Sequence, residues 1–264
     1  MPNDIEKNFI TNEGNKTQLN DLLAENCKKP DIWTWKKEFS VTNKLDNIIT
    51  ENGERVIYEP QALEVLEEAD NRIICHISDM ISKGIQEICV RTGDSDVLVI
   101  LLGFMVTFLN QNSNIQLYAD YNNGKNRKII DVTSCYNNLG SDISRALLFF
   151  HCFTGADATC SFFKKSKKSW FTVWMQVQFK EELTSAFIKL SSCPSSETVE
   201  TSINTIEQFV ISGYGNPSDR KLSLDEFRFQ YFQRLSTNEL RCLPPSRDAL
   251  VLHIKRSAYQ AGWI

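Results

Sequence analysis

The chain has 264 residues, of which 42% are hydrophobic and 23% are charged, and its formal net charge is −4. This composition excludes a chain that is disordered throughout, because it supplies enough apolar side chains to bury a sizeable core. The net negative charge does not favour nucleic-acid binding over the whole surface, so any such binding has to rest on a local basic patch.

The sequence gives no sign of a membrane segment or of a secretion signal. The longest apolar run, residues 97–106, is far shorter than the roughly 20 residues that cross a bilayer. Residues 1–4 lack the basic and apolar pattern of a signal peptide. We therefore expect a soluble intracellular protein, nuclear or cytoplasmic and not secreted, that has no membrane partner.

The N-terminal part of the chain, residues 1–49, is mainly polar and is interpreted as a leading arm. It includes an aromatic and β-branched piece at 33–41, and a second such piece at 55–58 is typical of a short strand. From Leu63 to Ile81 the apolar residues recur at spacings of three and four, which predicts an amphipathic helix.

Residues 50–180 alternate between short apolar segments and helical patterns, which predicts an α/β domain with a mainly parallel sheet. The run at 97–106 favours a buried helix, although its β-branched content leaves a strand open. The other segments are strand candidates at 85–90, 115–118 and 128–132 and a helix at 141–153.

Residues 181–264 are interpreted as a helical C-terminal extension. Ser223 and Glu226 are spaced as a capping box, which predicts a helix through Leu235. Ser246 follows two prolines and can cap a last helix.

Acidic residues recur at the ends of these predicted elements. Asp94 and Asp96 follow a predicted strand, Asp157 follows a predicted helix at a glycine-containing turn, and Glu68 and Asp70 lie within the helix predicted at 63–81. Loops at the carboxyl ends of parallel strands converge, and carboxylate oxygens suit Mg²⁺ or Mn²⁺. Two such ions can activate water and stabilise the leaving oxygen in phosphodiester hydrolysis.

A structural interpretation stays open beside the metal site. Acidic residues in the first turn of a helix complement its dipole, and an Asp-x-Asp after a strand often serves only as a turn and cap. Considered singly, each acidic group is more typical of that role. Five carboxylates that converged without a cation would repel one another, which favours the metal site when they are considered together.

Four lysines follow Asp157 closely, and they are Lys164, Lys165, Lys167 and Lys168. We predict that Lys164, Lys167 and Lys168 share a helical face that binds nucleic-acid phosphates. The alternative is an ordinary solvated basic face.

The eight cysteines are scattered, and we expect most of them to be reduced residues of the core. A weaker hypothesis places a thiol or zinc site at Cys75-His76 and at His151-Cys152. Neither pair has the spacing of a zinc finger, so a satisfied core histidine is the simpler interpretation.

Three acidic motifs resemble, in order and context, those of the flap-endonuclease branch of the PIN-like nucleases. They are Glu68-Ala69-Asp70, Asp94-Ser95-Asp96 and Gly155-Ala156-Asp157. The chain also resembles a group of animal proteins, often associated with mobile elements, that carry a PIN-like domain. That match runs from about Asn8 to the end and includes the segments 153–157 and 243–250.

The resemblance implies a three-layer α/β/α fold and Mg²⁺- or Mn²⁺-dependent cleavage of DNA or RNA, without a small-molecule cofactor. It implies that Asp94, Asp96 and Asp157 are catalytic and that these three, with Glu68 and Asp70, bind the metal. The similarity begins after the family's first strand, which carries a further metal-binding aspartate, so we expect an N-terminally truncated member whose two-ion site is incomplete. The alternative is a non-catalytic remnant that binds nucleic acid or a protein. The oligomeric state is not predicted.

Overall fold

The structure is a computed structural model that describes residues 14, 18–19, 22, 39–42, 47–51, 54–58, 69–235 and 239–263. The chain divides into two compact units, residues 1–69 and residues 70–264. In the first unit, strands β1 (Phe39–Thr42), β2 (Asn47–Glu51) and β3 (Glu54–Tyr58) form an antiparallel sheet in the order β1-β2-β3. The strand predicted at 55–58 is therefore confirmed, whereas β2 was not predicted.

The second unit contains a mixed sheet of three strands, β4 (Glu87–Thr92), β5 (Gln116–Tyr121) and β6 (Lys128–Asp131), in the order β4-β5-β6. Strands β4 and β5 are parallel, and β5 and β6 are antiparallel. The reversal follows from the short connection 122–127, because a parallel crossover needs about a dozen residues or more. The predicted α/β class is confirmed, but the sheet is mixed rather than mainly parallel.

Helices make up most of the second unit. Their bounds are α1 Ala69–Ser82, α2 Ser95–Gln111, α3 Val132–Leu139, α4 Ser141–Phe153, α5 Lys167–Gln176, α6 Lys180–Ser192, α7 Ser196–Tyr214, α8 Leu224–Arg234 and α9 Arg247–Trp263. Within the described ranges, no helix has both the length and the apolar character needed to cross a bilayer.

Local sequence signals account for several of these helices. The apolar run at 97–106 lies inside α2, so the helical alternative is confirmed. Ser223 and Glu226 form the predicted capping box of α8, in which each side chain accepts from the other residue's backbone N–H. Helix α3 was not predicted, and Gly140, with φ of +84°, separates it from α4. The helix predicted from Leu63 is described only from Ala69 onward.

The apolar core of the second unit consists of two clusters. One packs α1 and α2 against β4 and β5 and includes Leu101, Phe108 and Leu117. The other contains α4, α5, α6, α7, α8 and α9 and includes Phe153 and Phe187. The boundary predicted at residue 180 falls inside this second cluster. Helix α4 also contacts α2, so it connects the sheet side of the unit with the helical side.

Candidate active site at the start of helix α2

Two of the predicted carboxylates lie at the N-terminus of α2. Asp94 is the N-cap residue, and its Oδ1 accepts a hydrogen bond of 2.9 Å from the backbone N–H of Asp96. The backbone N–H of Asp94 donates in turn to Oγ1 of Thr92, at 3.0 Å. Asp94 is therefore held by its own turn, and the structural role weighed from the sequence is real. Its second carboxylate oxygen makes no hydrogen bond to the described residues.

The third predicted aspartate, Asp157, lies in a loop that is fixed to the end of α4. Gly155 has φ of +114°, and a Cβ atom there would lie 2.8 Å from Cβ of Ser161, so this turn requires glycine. The hydroxyl of Thr159 accepts from the N–H of Ala156 at 2.8 Å and donates to the carbonyl oxygen of Cys152 at 2.6 Å. These bonds position the loop, while the Asp157 side chain stays exposed.

A buried histidine joins α4 to the start of α2. The Nε2 atom of His151 lies 3.1 Å from Oδ1 of Asp96, and the histidine side chain is only 7% exposed. The Nζ of Lys167 also contacts this ring, at 2.8 Å from Nδ1 and 3.4 Å from Nε2 of His151, and lies 3.2 Å from the carbonyl oxygen of the same residue. A neutral imidazole can accept from this ammonium, whereas a protonated one cannot.

Electrostatics favour this neutral form. Burial, and then the charge of Lys167, lower the pKa of His151 and outweigh the opposite effects of Asp96 and Asp94. Burial also lowers the pKa of Lys167, against the attraction of Asp96 and Asp157. Asp94 and Asp96 thus lie within electrostatic range of His151, and Asp96 and Asp157 lie within that range of Lys167.

The remaining predicted ligands lie at the edge of what the structure describes. Glu68 falls outside the described residues, and of Asp70 only the backbone, in α1, is described. Within the described part of the chain, no three His, Cys, Asp or Glu side chains are grouped closely enough to hold one metal ion. The thiol or zinc hypothesis at Cys75-His76 and His151-Cys152 gains no such group there.

The predicted lysine face is wrong. Lys164 and Lys165 precede α5, and Lys164 has φ of +57°, so the lysines do not share one helical face. Lys164 pairs with Glu239 at 2.7 Å, and Lys165 donates to the carbonyl oxygen of Gly213 at 2.7 Å. Lys167 faces His151, so of the four lysines Lys168 is the one that faces solvent without such a contact in the described structure.

The cysteine prediction is wrong in its placement. The seven described cysteines are free, but only Cys152 is buried, whereas Cys89, Cys160 and Cys193 are exposed. Burial raises the pKa of the Cys152 thiol to about 12. A thiol with that pKa stays protonated near neutral pH and is a poor nucleophile and metal ligand.

A second charged group at the same end of the sheet was missed. Asp120, near the end of β5, is buried and accepts from both Arg91 and Arg127. These guanidiniums lower the pKa of Asp120, with the hydrogen bond from Arg127 as the largest cause. A charged residue inside the apolar stretch 117–121 was the available signal.

Comparison of the chain with protein-family models, with curated proteins and with solved structures finds no match.

Proposed function

We propose that the second unit is a PIN-like domain that hydrolyses phosphodiester bonds in DNA or RNA with Mg²⁺ or Mn²⁺ at Asp94 and Asp96. The contact between His151 and Asp96, 3.1 Å long, carries this proposal. A nearly buried histidine in contact with a carboxylate restricts the orientation of that carboxylate, as the outer partners of metal ligands do. An Asp96 that only complemented the dipole of α2 would not need this support.

The donor set fits a hard divalent cation. Asp94 and Asp96 each use Oδ1 in the contacts given above, and Oδ2 of each makes no hydrogen bond to the described residues. Mg²⁺ is commonly held by one or two carboxylates together with waters and substrate phosphates. Two aspartates therefore suffice for a site that the substrate completes, and Asp157 adds negative charge nearby.

The protein's own groups would orient the site. When bound, the ion would supply an activated water and stabilise the leaving oxygen. His151 contacts Asp96 and restricts its orientation, and burial lowers the pKa of His151, which favours a neutral ring beside that carboxylate. Lys167 contacts His151 and offers a positive charge within electrostatic range of Asp96 and Asp157.

One observation favours a second candidate function, which is nucleic-acid or protein binding without catalysis. The ammonium of Lys167 already lies beside this acidic region, and its pKa is raised by Asp96 and Asp157, although burial lowers it more. Such a built-in cation reduces the repulsion among the aspartates without a metal. In that case the fold would bind its partner in a manner indifferent to divalent ions.

A binding and cleavage experiment separates the two functions. We expect Mn²⁺ to bind the purified chain, measured by calorimetry, and to support cleavage of single-stranded or branched DNA or RNA. Asp96→Asn should abolish both. Asp142→Asn, in the first turn of α4 and at the far end of that helix from His151, is the matched control and should leave both unchanged.

The opposite results are equally clear. A chain that neither binds Mn²⁺ nor cleaves any of these substrates is not a metal-dependent nuclease. Salt-sensitive binding of nucleic acid that is unchanged by EDTA and by Asp96→Asn would support the second candidate instead.

A further inference from the structure

We infer that the cluster formed by Arg91, Asp120 and Arg127 binds a backbone phosphate of a single-stranded nucleic acid. This inference extends the proposed function, because it names residues other than the aspartates of α2 that bind the backbone of the polymer. It gives a different location for nucleic-acid binding from the lysines at 164–168.

The two guanidiniums of the cluster carry more positive charge than is required to neutralise the buried carboxylate of Asp120. Arg127 alone satisfies both oxygens of Asp120, with Nε 2.7 Å from Oδ1 and one terminal nitrogen 2.9 Å from Oδ2. Arg91 adds a second guanidinium at 2.6 Å from Oδ2. Two positive charges around one negative charge leave the cluster with a net charge of +1.

Both guanidiniums are held in place and also reach solvent. The side chains of Arg91 and Arg127 are 60% and 54% exposed, whereas that of Asp120 is 8% exposed. Arg91 is fixed further by a bond of 2.9 Å to the side-chain oxygen of Asn123. Each guanidinium has five N–H donors and uses two in these contacts, so several donors on each remain for an outside acceptor.

The location suits an extended anion. Arg91 and Asp120 are register neighbours on the parallel strands β4 and β5, near the carboxyl ends where α/β sheets bind ligands. Ile129, the register neighbour of Asp120 on β6, is 60% exposed, so this face of the sheet is open beside the cluster. Lys125 and Lys128 are exposed on the adjoining segment and add positive charge.

The cluster is also close to the candidate active site along the chain. Arg91 precedes Asp94 by three residues, which limits the distance between their Cα atoms to about 11 Å. Every nucleotide of a single strand carries a phosphate, so one strand can reach both groups. Arginine is suited to this task because its planar fork matches phosphate oxygens.

The test measures the affinity of the full chain for a fluorescein-labelled oligothymidylate by anisotropy, in EDTA, at several salt concentrations. We expect Arg91→Gln to weaken binding about tenfold, the lower end for hydrogen bonds to a charged group. The slope of log K against log salt should become less steep by about 0.7, since one phosphate contact on a single strand is lost. Lys189→Gln, an exposed position in the last turn of α6, has the same charge change and should do neither.

Arg91→Lys distinguishes an oriented clamp from a diffuse positive patch. Lysine keeps the charge but lacks the fork, so we expect Arg91→Lys to weaken binding nearly as much as Arg91→Gln. Binding at the wild-type level in Arg91→Lys, or an equal loss in Lys189→Gln, would overturn the proposal. Arg127 remains bidentate to Asp120 in both Arg91 variants, so they should fold, and an unchanged thermal midpoint checks this.

Two further arms separate this inference from the proposed function. Asp96→Asn should bind the oligonucleotide as the wild type does in EDTA. Failure of the nuclease proposal would therefore not affect the proposed phosphate binding by Arg91 and Arg127. Conversely, if Arg91→Gln changes neither cleavage nor the affinity for the oligonucleotide, the proposed phosphate binding is refuted and the nuclease proposal is unaffected. Calorimetric binding of inorganic phosphate that Arg91→Gln abolishes, with no effect on the oligonucleotide, would overturn the assignment to a polymer.

Discussion

Asp94 has two roles that a pair of substitutions can separate. As the N-cap of α2 it accepts from the N–H of Asp96 at 2.9 Å, and as a proposed ligand it contributes negative charge. Asp94→Ala loses both, whereas Asp94→Asn keeps a side-chain oxygen for the cap and loses the charge. Asparagine and aspartate cap helices about equally well, and alanine costs about 1 kcal/mol.

These differences translate into measurable melting temperatures. For a domain of about 200 residues, 1 kcal/mol corresponds to roughly 2–4 °C, so Asp94→Ala should melt about that much lower without metal. Asp94→Asn should melt within about 1 °C of the wild type under the same conditions. Mn²⁺ at about 100 times its dissociation constant should stabilise the wild type by about 2.7 kcal/mol, or roughly 5–11 °C. Neither variant should show that rise.

Asp131 provides a control because it also caps a helix, α3, accepting from the N–H of Ser134 at 2.8 Å and from the hydroxyl of Ser134 at 2.7 Å. Asp131→Ala should lose stability as Asp94→Ala does, and both Asp131→Ala and Asp131→Asn should keep the full response to Mn²⁺. Differential scanning fluorimetry with and without Mn²⁺ gives all these values. If Asp94→Asn responds to Mn²⁺ as the wild type does, Asp94 is a cap only and the ligand assignment is refuted.

Three further predictions concern stability and reactivity. Burial lowers the pKa of all three histidines, including His151, so the native state favours their neutral forms. The melting temperature should therefore fall as the pH drops below about 6.5, where the unfolded chain takes up these protons. A melting temperature that stays constant between pH 7 and 5 would contradict this. At pH 8, iodoacetamide should modify exposed Cys160 but not Cys152, mapped by mass spectrometry, and equal labelling would contradict the burial. Gly213→Ala would place a Cβ atom against the ring of Trp170, too close for van der Waals contact, and should cost about 1–3 kcal/mol in urea unfolding. An unchanged midpoint would contradict this packing.

Local sequence signals predicted the elements whose causes are local. The run at 97–106 forms α2, and Ser223 with Glu226 forms a capping box, because both depend on spacings within a few residues. The direction of β6 depends on how the connection 122–127 closes, which the pattern of 128–132 does not encode. The sheet was therefore expected to be mainly parallel and is mixed.

The candidate site shows the same division between local and long-range causes. The positions of Asp94 and Asp96 after a strand could be read from the sequence, since strand, turn and cap are contiguous. The contact between Asp96 and His151 joins residues from α2 and α4, and it exists because those helices pack together. The lysine prediction failed because it assumed a helix through Lys164, where the backbone has positive φ.

The two charged groups at the carboxyl end of the sheet differ in how their charge is balanced. Asp120 is buried between two guanidiniums and has more than one positive charge beside it. Asp94 and Asp96 lie at a helix N-terminus, and Asp96 contacts a buried histidine that also contacts Lys167. The Arg91, Asp120 and Arg127 cluster therefore favours binding of an anion, and Asp94 with Asp96 favours binding of a cation. A phosphodiester bound with a divalent ion presents both partners together, which is why the two proposals support the same class of substrate while each can fail alone.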